Sequence, residues 1–260
     1  MAGGDFGLYQ LLGNRFEKVP VTFKSVSWEQ GIQSDGKGKT FLGTDAGLVE
    51  LSLTPGQKGF AERGFSQRPG STDPGAYGVL VDGDAVWYGC GLELRRMDEN
   101  GTRVLGKESG HPNRPLVAIR KDSSGNLWVR SETEGVFQLP AGQTQFRSPD
   151  RSMHGSSMDG VLPIDADGRI LLPSADGLLI REGKGWQKID RSAGLPGAVF
   201  SALEDRQHSL WIGMAGRGLV QWRGYHEWEN YSSVSGLGSD MVYEILLQDR
   251  GVMWVATEGG

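Results

Sequence analysis

The residues able to do chemistry are spread thinly through this chain, and their spacing is regular. Aspartates stand six residues before a bulky apolar residue at Asp35, Asp122, Asp165 and Asp205, and five before one at Asp82 and Asp249. Repeated carboxylates are the raw material of acid–base or metal chemistry. One per repeat beside a Gly-rich turn reads instead as a hairpin cap, because Asp accepts from nearby backbone N–H groups and Gly supplies positive φ. Asp165 and Asp167 look like a piece of a calcium loop, but the other ligands at the required spacing are missing. His111, His154, His208 and His226 form no pair at a metal-binding spacing. The single cysteine, Cys90, excludes an internal disulfide framework and a cysteine-based zinc cluster. No Ser-His-Asp or Cys-His set assembles from the spacing. The serines at Ser123 and Ser124 sit in a hairpin, not at a strand-to-helix phosphate loop. The expectation is no catalytic residue, no metal and no cofactor.

Composition narrows the classes further. The 260 residues carry 27 Lys and Arg against 32 Asp and Glu, a net charge of −5, which argues against a nucleic-acid binder. No apolar run approaches the roughly 18 to 20 residues of a membrane helix. Met1 to Gly7 has neither a basic nor an apolar stretch and does not read as a secretory signal. Glycine is the outlier at 41 residues, so the chain must turn often.

The elements that position these residues form a repeat. Its bulky anchors are Phe41, Trp87, Trp128, Leu171, Trp211 and Trp254, spaced 46, 41, 43, 40 and 43 residues apart. That period fits a four-stranded propeller blade, roughly 40 to 45 residues. In each unit an apolar strand runs into the Asp hairpin, the anchor strand follows, then a Gly-rich loop, a third strand, and a polar fourth strand with an aromatic (Phe60, Phe146, Trp186 or Trp228). No segment shows a long 3.6-residue apolar period, so the chain reads as all-β. The expected units are a half blade at 1–22, blades at 23–66, 67–109, 110–152, 153–193 and 194–233, and a half blade at 234–260. This describes one β-propeller of five complete blades and two half blades, expected to be a piece of a seven-bladed propeller.

The six anchors are expected in the structural core, because one large side chain per blade fills the space between neighbouring sheets. A sugar-stacking platform is the weaker reading of the tryptophans. Trp28, Trp186, Trp222 and Trp228 lie off the anchor position and are open to either exposure or blade-edge packing. The loop after each second strand is the better candidate for ligand binding. These loops vary in charge from unit to unit, and in a radial array they gather on one face. The residues they offer are Asp45, Arg130, Glu132, Asp176, Arg217 and Glu258.

Asp-x-x-Gly-x-Leu-Trp-Ile-Gly followed by Gly-Leu, with Gly-Leu-Pro upstream, is the pattern of the two-component regulator propeller repeat. The stretch from Gly194 to Leu219 resembles it closely; Gly236 to Gly260 and Asp122 to Val136 also fit. The resemblance implies the extracytoplasmic or periplasmic sensor part of an inner-membrane signalling protein, with a histidine kinase or diguanylate cyclase output module elsewhere. It also implies a small ligand such as an oligosaccharide, and dimerisation through the full-length receptor. Two other classes stay open: a carbohydrate-active hydrolase or lyase, which needs two convergent carboxylates, and a protein-interaction scaffold.

Overall fold

The fold is described from a computed structural model, which describes residues 1–12, 15–27, 30–53, 60–65, 75–131, 133–148, 161–195, 197–222, 228–248 and 251–260. Among these the regular structure is strand, apart from short 3₁₀ turns at Lys107–Ser109, Arg191–Ala193 and Ser233–Ser235. The chain divides into two compact units. One is Met1–Ile119 with Leu127–Arg151; the other is Arg120–Asn126 with Ser152–Gly260.

In the first unit, β1 (Ala2–Gly4), β2 (Gly7–Leu12) and β3 (Arg15–Lys18) form a three-stranded sheet. A four-stranded sheet follows, made of β4 (Ile32–Ser34), β5 (Lys39–Thr44), β6 (Gly47–Leu53) and β7 (Phe60–Gly64). Another holds β8 (Ala76–Asp82), β9 (Ala85–Cys90), β10 (Glu93–Asp98) and β11 (Gly101–Leu105). Then come β12 (Leu116–Lys121), β13 (Leu127–Ser131) and β14 (Gly135–Leu139), with an isolated Gln138–Arg147 bridge in the fourth-strand place. The tip between β12 and β13 is counted with the second unit.

The second unit holds β15 (Leu171–Ser174), β16 (Gly177–Glu182) and β17 (Gly185–Ile189), with an Ile164–Ile170 bridge in the first-strand place. It continues with the four-stranded sheet β18 (Val199–Glu204), β19 (Leu210–Met214), β20 (Gly218–Trp222) and β21 (Trp228–Tyr231). It ends with the pair β22 (Val242–Leu247) and β23 (Met253–Thr257). Sheets run in chain order with antiparallel neighbours, as hairpin-connected strands must. Three of the five expected complete blades are four-stranded. Among the described residues the other two hold three strands, with a single bridge in the place of a fourth. The leading half blade has a third strand, because Ala2 to Gly4 reaches back to pair with Gly7 to Tyr9.

The core lies in layers between successive sheets. Leu8 packs with Leu42, Val49 and Leu51; Phe41 and Leu48 pack with Val79, Val86 and Tyr88. Leu80 and Leu94 meet Leu116, Ile119 and Val129. In the second unit Leu171, Leu178 and Ile180 meet Val199, Ile212 and Val220, while Trp211 and Leu219 meet Val242, Ile245 and Val255. In three sheets glycine stands two residues after the anchor, at Gly43, Gly89 and Gly213. A Cβ on Gly43 would stand 2.6 Å from the Ala76 carbonyl oxygen, and one on Gly89 would stand 2.4 Å from that of Leu116.

Phe41, Trp128 and Leu171 are buried anchors. Trp87 and Trp211 are half-buried against their layers. Trp254 departs from the core expectation and is 37% exposed. In β22–β23, Ile245 pairs with Val255 and Leu246 with Trp254. Alternation sends the first pair into the core layer and the second to the opposite face, where Leu246 is also exposed.

Candidate functional site

The two ends of the sheets are built differently. At one end the hairpins between first and second strands are closed by the repeated aspartates. Asp35 Oδ1 accepts from the amides of Lys37 (2.7 Å) and Lys39 (3.0 Å). Asp122 Oδ1 does the same for Ser124 and Asn126, Asp165 for Asp167 and Arg169, and Asp205 for Gln207 and Ser209. Asp205 Oδ2 also accepts from the anchor indole, Trp211 Nε1, at 2.8 Å. Burial opposes ionisation of Asp205, but these hydrogen bonds outweigh it and hold the carboxyl below its usual range.

The last hairpin corrects the sequence register. Gln248 fills the place six before the anchor: its amide bonds the Val252 carbonyl, and its Oε1 accepts from Trp254 Nε1 at 2.8 Å. Asp249 lies outside the described residues. The fourth hairpin position takes positive φ at Gly38, Gly125, Gly168 and Gly251, and at His208, where φ is 62°. His208 Nδ1 lies 2.7 Å from Glu204 Oε1, which holds the imidazole above its usual range.

The other end carries the turns between second and third strands, where the candidate residues were expected. Here the chain uses tight turns. Thr44, Ser174 and Thr257 each donate a side-chain hydroxyl to the carbonyl three residues on, at 2.7, 2.8 and 2.7 Å. All three stand three residues after their anchor, a regularity present in the sequence and not used in reading it.

The structure separates the six candidates. Asp45 is exposed, but its Oδ1 accepts from the Lys24 (2.9 Å) and Ser25 (3.0 Å) amides, so it fastens the preceding segment. Arg130 is not in a loop: it is buried in β13, in the place held by Gly43, Gly89 and Gly213 in other sheets. An arginine reads as surface in a sequence, whereas here the strand continues through it. Glu132 lies outside the described residues. Asp176, Arg217 and Glu258 are exposed at the turns of three successive sheets of the second unit. They offer acid, base and acid in turn, a set suited to hydrogen bonding a polar ligand. Among the described residues no group of three or more His, Cys, Asp or Glu side chains is placed to hold a metal ion. No described helix is long and apolar enough to cross a membrane.

No protein-family model matches the chain, and no curated protein does. Solved structures do. The extracellular domain of the putative hybrid two component system BT3049 from B. thetaiotaomicron superposes with a TM-score of 0.76 at 15% identity, over 98% of this chain and 36% of that one. The extracellular domain of BT4673, from the same organism, gives 0.77 at 13%, over 99% and 35%. The chain thus spans about a third of the length of these domains. A catalytically inactive virginiamycin B lyase from Staphylococcus aureus, with quinupristin, gives 0.66 at 14%, over 88% and 78%. At these identities the likeness establishes the fold alone. Antiparallel sheets in chain order, core layers between them and these neighbours together identify the chain as part of an all-β propeller of four-stranded blades.

Proposed function

We propose that this chain is the ligand-recognising part of an extracytoplasmic sensor, whose kinase or cyclase output module lies elsewhere in a longer protein. The observation that carries this reading is the fold match, over nearly the whole chain, to extracellular domains of hybrid two component systems. The recognition surface is the row of turns bearing Asp176, Arg217 and Glu258, and the ligand is a small polar molecule such as an oligosaccharide. Signalling follows if the ligand binds one conformational state better than another. Thermal-shift screening of the chain against an oligosaccharide panel is the test. A ligand at 100 times its Kd stabilises by about 2.7 kcal/mol, and Arg217→Ala abolishes that gain without lowering the unliganded midpoint. No gain from any member of the panel counts against a sugar ligand. A gain that survives Arg217→Ala together with Asp176→Ala moves the site elsewhere.

A lyase is a second reading, favoured by the virginiamycin B lyase match. The described histidines do not support it: His111 is buried in a connection, and His208 sits at the opposite end of β19 from the Arg217 turn. Incubation with quinupristin, followed by mass spectrometry, separates the two readings. Turnover would replace the sensor assignment.

A further inference from the structure

The first strands of the last two sheets share an irregularity. In β18 the register slips between Val199 and Ser201, so Phe200 has no partner across the ladder. In β22 it slips between Val242 and Glu244, and Tyr243 is the extra residue. The same slip occurs in β8 between Tyr77 and Val79, where the extra residue is Gly78. There a Cβ would stand 2.6 Å from the Val117 carbonyl oxygen, so that bulge leaves no room for a side chain. The second unit fills the same place with an aromatic ring in two successive sheets.

A bulge re-aims the side chain it adds. Val199 and Ala202 enter one core layer and Leu203 the next, which Val242 and Ile245 share. Phe200 and Tyr243 join neither of these layers. Phe200 is half-buried and Tyr243 is 44% exposed, and their rings meet at a centroid distance of 5.6 Å and an interplanar angle of 43°. An exposed aromatic standing alone needs no explanation. Two at one bulge position, touching between neighbouring sheets, make a surface wider than a single ring.

The pair stands beside the turns proposed above as the recognition surface. The amide of Ala215 donates to the Ala198 carbonyl at 3.1 Å, and that of Glu258 to the Met241 carbonyl at 3.1 Å. Each carbonyl lies two residues before a ring. The Arg217 side chain reaches back to the entry of β18: a Cβ on Gly197 would stand 3.7 Å from its Nε. The rings therefore neighbour turns that carry an exposed guanidinium and an exposed carboxylate, those of Arg217 and Glu258.

A pyranose ring has the matching chemistry. Its C–H bonds, slightly positive, suit the negative face of an aromatic ring, and its hydroxyls take charge-assisted hydrogen bonds. We propose that Phe200 and Tyr243 form a stacking subsite for one sugar ring of the ligand, with Arg217 and Glu258 holding its hydroxyls. This subsite presupposes the recognition role of the second-unit turns.

Calorimetric titration with xylohexaose, cellohexaose, maltohexaose and arabinohexaose gives the Kd of each. For a sugar that binds, Tyr243→Ala raises Kd about 3- to 10-fold, as loss of one aromatic stack does, while Tyr243→Phe keeps the ring and stays within about twofold. In the chain labelled with fluorotyrosine, the Tyr243 resonance, identified by its loss in Tyr243→Phe, moves on saturation with the same sugar. A Kd unchanged in Tyr243→Ala and Phe200→Ala but raised in Arg217→Ala overturns the subsite and leaves the recognition turns standing. A Kd raised equally by Tyr243→Phe and Tyr243→Ala assigns the contact to the hydroxyl and overturns the stack. Binding by no member of the set overturns the subsite and the sugar ligand together. If Tyr243→Ala fails to fold, the fluorine resonance decides, and one that does not move overturns the proposal.

Discussion

The anchors show how far one side chain's contribution depends on the cover it receives. Trp128 is fully buried and Trp254 is 37% exposed, although both occupy the same place in the repeat. Trp128→Ala is therefore expected to lower stability by about 3 to 5 kcal/mol, the range for a large core side chain. Trp254→Ala is expected to lower it by less than half of that, measured by urea unfolding of both variants. Equal losses would mean that exposure does not rank the anchors. The capping aspartates act at the same scale. Each satisfies two backbone amides with one carboxylate oxygen, and Asp205 also holds the indole that follows it. Gln248 does the last of these jobs with a neutral side chain, so the hairpin needs an acceptor there and not a charge.

At the scale of strands and sheets, glycine two residues after the anchor lets neighbouring sheets close up where it stands. Gly89 brings β9 against the first strand of the next sheet, where a Cβ would sit 2.4 Å from a backbone carbonyl that has no rotamer to change. Gly89→Ala is expected to destabilise by about 1 to 3 kcal/mol, as overpacking does. Gly185→Ala, where the nearest atom is 3.8 Å away, serves as the control and should change stability by less than half as much. Calorimetry of both variants checks the order; a reversed order would show that the sheets are free to move apart. Arg130 takes the same place in β13, buried where Gly43, Gly89 and Gly213 have no side chain.

At the scale of the whole molecule, stability is coupled to pH through a pair within the second unit. Burial pushes Glu244 up to about 7, with Arg120 acting against the rise, and burial also brings Arg120 down to about 10. A carboxyl raised in the fold is favoured in its protonated form. Its stabilisation is present below about 4.5 and is lost as pH rises to about 7. Unfolding titrations at pH 4.5 and 7.5 should show Glu244→Gln gaining on the unaltered chain by on the order of 2 kcal/mol across that window. A difference constant in pH would refute the assignment.

Strand order, hairpin caps and blade period could be read directly from the chain. They rest on local chemistry: an Asp with its own amides, a glycine at positive φ, an apolar residue every other position. The anchor-plus-three hydroxyls of Thr44, Ser174 and Thr257 are equally local, but Cys90 and Met214 break the series. Which anchor is covered, that Arg130 is buried, and that Asp45 fastens a segment twenty residues away were decided by the tertiary structure alone. Burial depends on what the neighbouring sheet presents, and hydrogen bonds across long loops depend on where the chain returns. No spacing within one repeat carries that information.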